Sequence, residues 1–172
     1  MRGPMLAFIA VVIASLPAAA QSSAALEQVA EGFGRGQCNP LTHQAVNPET
    51  RAWMSIDPSP WTGWTIEKIR PQTLRYERPG DETRLMEFEE GIYRDRAPDS
   101  MEGAEEWTIV EYGIHGPDNW RILMTPPEFS DAAPFYSEII TAGDIFIWTH
   151  WADQPDGPRI RLMFFACRFG EG

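Results

Sequence analysis

The sequence predicts a mainly β fold. It reads as a single antiparallel meander of about eight strands closed as a small barrel, or alternatively a β-sandwich, with one short N-terminal helix. Three observations predict it. From Trp61 onward, short runs alternate apolar and polar residues. Turn chemistry punctuates them at Pro79-Gly80-Asp81, Gly116-Pro117-Asp118 and Asp156-Gly157. The connections are short, so neighbouring strands pair, and a sheet of that size hides its edges by closing or folding over.

Met1–Ala20 reads as a secretory signal peptide. Arg2 makes its start positive, an apolar run extends from Leu6 to Leu16, and Ala18 and Ala20 supply the small residues before a cleavage site after Ala20. The run is about eleven residues, short of the roughly twenty that span a bilayer. No cysteine follows it for lipidation and no twin arginine precedes it. The expected product is a free domain beginning at Gln21, without an integral membrane segment. Sparse lysine (Lys68 alone) and no Asn-x-Ser/Thr site place it in a bacterial periplasm or secreted fraction.

Residues 21–60 read as a short helix followed by an irregular segment. Ser22 or Ser23 caps a helix to about Phe33, with Ala25, Leu26, Val29, Ala30 and Phe33 at helical spacing. From Gln37 to Pro60 four prolines leave room for one extended piece, Ala52 to Ile56. Residues 61–172 read as the antiparallel domain, packed with 21–60. Its expected strands are Trp64–Arg70, Gln72–Arg78, Thr83–Arg94, Glu106–Ile114, Asn119–Thr125, Tyr136–Thr141, Asp144–Ala152 and Arg159–Phe169. Pro71 breaks the first two apart. Met86, Phe88 and Ile92 share one parity against Glu87 and Glu89, and Trp120, Ile122 and Met124 share another. The last strand is apolar on both faces, so it is expected to be central or buried on both sides.

The strand plan is similar to that of lipocalin-type barrels. That family's Gly-x-Trp opening motif is missing, since Gly63 and Trp64 are adjacent, and no membership follows.

Cys38 and Cys167 are the only cysteines, and in an oxidising compartment they read as one disulfide. The bridge would join the start of the domain to its last strand. The net charge of −11, more negative once Arg2 leaves, argues against nucleic acid and anionic membranes as partners.

Seven tryptophans are the chemical signal that remains. Two runs have the form Trp-Thr-x-Trp, Trp61–Trp64 and Trp148–Trp151. Positions three apart on a regular strand face opposite ways, so one tryptophan of each pair is expected inside. Trp64, Trp107, Trp120 and Trp148, with His150 on the parity of Phe146 and Trp148, are the candidate ligand-binding residues. Their bland alternative is a packed β core, since each tryptophan buries a large area. His43, His115 and His150 have no metal-ligand spacing, and no metal or cofactor is expected. Carboxylates crowd the Asp81–Glu111 region. Glu87 and Glu89 read as a solvated face and Glu138 as a buried acid. No nucleophile elbow, phosphate loop or dinucleotide fingerprint is present.

Three functions fit, in this order. The first is a soluble exported domain binding a small apolar or aromatic-stacking ligand. It requires a cavity of roughly 300 Å³ or more lined by tryptophans. The second is an interaction or inhibitor module with an envelope protein partner, using the Asn39–Pro60 or Arg94–Glu105 segment. The third is a hydrolase using Glu111, Glu138 or His150.

Overall fold

A computed structural model describes residues 36–89, 91–116, 119–126, 135–154 and 157–170. The expected signal peptide and N-terminal helix lie outside the described residues. The described chain forms one antiparallel sheet of eleven strands. They are β1 (Gln37–Val46), β2 (Trp53–Ser55), β3 (Thr65–Arg70), β4 (Thr73–Glu77), β5 (Arg84–Glu89), β6 (Ile92–Arg96), β7 (Glu105–Ile114), β8 (Asn119–Thr125), β9 (Phe135–Ala142), β10 (Ile145–Gln154) and β11 (Gly157–Gly170). From β3 to β11 each strand pairs with the next, β3 touches β1, and β1 closes on β11. Ten strands make a closed barrel, and β2 lies outside it against β1.

Alternation decides which side chains enter the barrel. The register pairs Ile66 with Tyr76, Leu74 with Met86, Phe88 with Tyr93, Ile122 with Ile139, and Phe146 with Cys167. All of these face inward, joined by Trp64, Trp120, Met124 and Phe165, and together they form the buried core. The outer face of the same strands carries Glu67, Arg75, Glu87, Arg94, Arg96 and Arg121 in cross-strand ion pairs. A wall so charged faces water, since an arginine on a lipid-facing strand costs about 2–4 kcal/mol at mid-membrane. Among the described residues no helix is long and apolar enough to cross a membrane.

The barrel is as expected, but its elements differ from the sequence reading in three places. The first is β1. Gln37–Val46 is a ten-residue strand, where four nearby prolines suggested irregular chain. Pro40 is tolerated because the pairing slips between Pro40 and Thr42, at a bulge where one ladder bond is lost. The second is the run read as one strand over Thr83–Arg94, which is the hairpin β5–β6. Gly91, at φ +73°, makes the turn, so Ile92 belongs to the returning strand rather than to the parity of Met86 and Phe88. Together these changes raise the count from about eight to ten barrel strands.

The third difference concerns Trp61 and Trp64. Ser59–Trp61 is a turn of 3-10 helix, not strand, so the opposite-face rule does not reach this pair. Both rings face the barrel interior, with centroids 5.4 Å apart. At the other run the rule holds: Trp148 points inward and Trp151 outward, where its Nε1–H donates to Glu138.

Closure depends on the β1–β11 seam, which runs from Gln37↔Gly170 to Ala45↔Met163. Cys38 and Cys167 form a disulfide across it, with Cα atoms 5.6 Å apart and both residues fully buried. The sequence reading had this pair correctly. Gly36 turns into the seam at φ +91°, against the carbonyl of Gly170. A β-carbon there would lie 2.1 Å from that oxygen.

Candidate functional site

The barrel is not filled to the end. A cavity of about 310 Å³ opens among β4–β7, β9, β10 and the segment from the 3-10 turn to Trp64. Antiparallel pairing gathers its polar rim. β4 ends, β5 begins, β6 ends and β7 begins at one end of the barrel. Arg78, Arg84, Asp95 and Glu105 sit at those strand ends and all line the cavity. The interior positions further along supply Trp64, Met86, Ile139, Phe146 and Trp148. The result is an aromatic and apolar chamber with a charged mouth.

Trp61 is central to it. Its ring lies 5.9 Å from Trp148 and 5.0 Å from Phe165, and the Arg78 guanidinium stands 4.7 Å above it. That is a cation–π contact. Trp64 is fully buried and lines the same cavity. Its indole N–H has no hydrogen-bond partner among the described residues. A buried donor left unmade costs about 1–3 kcal/mol, so an acceptor that reached it would be bound favourably. The Trp148 N–H, by contrast, donates to Ser137 Oγ at 2.8 Å.

Asp95 organises the mouth. Arg84 Nε donates to Oδ1 at 2.5 Å, and the Tyr76 hydroxyl donates to Oδ2 at 2.9 Å. The Tyr93 hydroxyl lies 3.4 Å from the same Oδ2. Burial, followed by the negative charge of Asp95, pushes the pKa of both tyrosines up, so they remain protonated donors. The Arg84 guanidinium is held more firmly protonated by its hydrogen bond to Asp95. Glu105, directly across the ladder from Asp95, makes no ion pair among the described residues.

The five residues expected at a ligand site are distributed as follows. Trp64 and Trp148 line the cavity together. Trp107 and His150 do not line it but continue its aromatic wall: Trp107 meets Phe135 at 6.2 Å, Phe135 meets His150 at 5.0 Å, and His150 meets Trp148 at 5.5 Å. Burial lowers the His150 pKa to about 4, so its imidazole is neutral. Trp120 is buried against Phe88, away from the cavity, and borders a second hollow beside His115, Asn119 and Arg121. The sequence reading missed Trp61, Arg78, Arg84 and Asp95. The signal available for Trp61 was Pro58 and Pro60, which rule out a regular strand just before it.

The hydrolase residues are not assembled. Glu138 is buried, as expected, but on the outer face, held by Arg121 and by the Trp151 N–H at 2.8 Å. Glu111 pairs with the same Arg121, at 2.5 Å. His150 faces the interior opposite Ser137, so the barrel wall separates it from both acids. Glu87, read as solvated, is also buried, among Arg70, Arg94 and Arg96. Among the described residues no three potential metal ligands converge.

No protein family, curated protein or solved structure matches the chain, so the site is read from its own geometry.

Proposed function

We propose that the protein is an exported barrel that binds a small apolar or aromatic-stacking molecule in its interior. The observation carrying this is the cavity of about 310 Å³ between Trp61, Trp64 and Trp148. Since a void of ~150 Å³ accommodates one benzene ring, the space suits a fused bicycle or a single ring with a short tail. It lies at the small end of ligand pockets, roughly 300–1,000 Å³. Export is supported by the leader-like Met1–Ala20 segment and by a disulfide, which persists in oxidising compartments.

The interaction-module reading draws on Leu41, Trp53 and Met54, which are exposed on β1 and β2 within the segment expected to make contacts. It calls for a filled interior, and the cavity of about 310 Å³ counts against it.

Calorimetric titration with 2-phenylethanol, indole and 1-naphthol tests the first reading. At least one is expected to saturate with a Kd of about 1 mM or tighter, near −4 kcal/mol. Trp148→Ala should weaken binding about tenfold, while Trp151→Ala, on the outer wall, should leave it unchanged. No saturable binding by any of the three, or equal loss in both variants, would contradict the proposal.

A further inference from the structure

Resting on the ligand-binding reading, the geometry points to a cationic ligand: we infer that the cavity selects an amine carried on an aromatic or apolar body, with Glu105 as its counter-ion at the mouth. Four charged side chains line the cavity, and three are already matched. Arg84 is bound to Asp95 and Arg78 to Asp81. Glu105 is the one left without an ion pair among the described residues, and it faces inward beside Asp95.

The remaining chemistry agrees. The Tyr76 and Tyr93 hydroxyls are directed at Asp95, so they are not free to receive an anion. An anionic group would meet Glu105 and Asp95, and would have to take an arginine from its present partner. The aromatic wall already accepts a cation, since the Arg78 guanidinium stands over Trp61. An ammonium entering below it would find the other indole faces, each such contact adding about 0.5–1 kcal/mol or more when desolvated. The acidic chain as a whole, at −11, draws cations toward the mouth and repels anions.

The test uses three probes of one shape: 2-phenylethylamine, 2-phenylethanol and phenylacetate, titrated calorimetrically into the intact protein at pH 7. The amine is expected to bind at least about fivefold more tightly than the alcohol, and the acid more weakly than either. Glu105→Gln, an exposed site where folding is not at risk, should abolish the amine's advantage over the alcohol measured in the same variant. High salt should erode the amine's advantage alone. If the alcohol binds but the amine is no tighter, or Glu105→Gln leaves the amine unaffected, charge selection is wrong and interior binding stands. If none of the three binds to protein whose folded state is verified by circular dichroism, the cationic-ligand inference is overturned, and interior binding falls with it only if indole and 1-naphthol also fail.

Discussion

Glu87 stands on the outer face of β5 yet is buried, because three arginines close over it, one from the end of β3 and two from β6. Arg70 and Arg96 bond to Oε1 at 2.6 and 2.7 Å, and Arg94 lies 3.7 Å from Oε2. The Arg96 hydrogen bonds, against the cost of burial, hold its carboxyl below the usual glutamate value. The sign follows: the ionised form stabilises the fold above the unfolded pKa, and that contribution is lost as pH falls through the folded value. Glu87→Gln should cost about 1–2 kcal/mol at pH 7, discounted for the exposure of Arg70. The difference in urea midpoint should shrink toward zero near pH 2. A difference independent of pH would show that shape, not charge, matters there. His150 acts in a higher window. Its pKa falls from 6.5 to about 4 by burial, so the unfolded chain takes up a proton that the folded one refuses. Stability is lost as pH drops from about 6.5 to about 4, and His150→Phe should flatten that stretch of the urea-midpoint profile. An unchanged slope would contradict a neutral buried imidazole. Burial of His43 lowers its pKa too, so part of the slope should survive. The face shared by His150, Phe146 and Trp148 was legible from parity. The burial of Glu87 was not, because alternation with Met86 and Phe88 cannot show which strands bring arginines across the outer face.

Strands and turns were legible wherever alternation and turn residues agreed. Asn119–Thr125 falls on its expected boundaries, and Cys38 was paired correctly with Cys167. The misses have physical causes. A two-strand hairpin with an abrupt turn at Gly91 keeps enough apolar character on both arms to read as one long strand. β1 lacks a clean alternation because Gln37, Asn39, Thr42, His43 and Gln44 leave few apolar positions in it, and Pro40 masks it further. The seam also depends on backbone approach that composition does not reveal. Gly36→Ala should cost roughly 2 kcal/mol or more, because a β-carbon at positive φ would strike the Gly170 carbonyl. Gly170→Ala, where nothing lies within 4 Å, should cost under about 0.5 kcal/mol. Thermal denaturation of the two variants side by side checks the pair, and equal losses would refute the close contact.

At the scale of the molecule, one disulfide holds the first barrel strand to the last. The two cysteines are separated by 129 residues, for which chain entropy gives up to about 5 kcal/mol. The double substitution Cys38→Ser, Cys167→Ser should lower the urea midpoint by a large part of that. A reductant should do the same to the native protein and nothing to the variant. The barrel's closure was predictable because an open meander of so many strands would expose two edges. The site was legible only in part. Trp148 followed from parity and Trp64 was named as a candidate without a valid parity argument, while the mouth is assembled by four strand ends and a 3-10 turn that meet only on closure. The account's central claim is that these groups surround a ligand chamber. The most direct measurement is a ¹H–¹⁵N spectrum of the tryptophan indoles, assigned by single Trp→Phe variants, during separate titrations with 1-naphthol, 2-phenylethanol and 2-phenylethylamine. The account predicts saturable shifts at Trp61, Trp64 and Trp148, with Trp53 and Trp151 on the outside unmoved. Shifts confined to Trp53 and Trp151, or none at any indole up to millimolar probe, would contradict it.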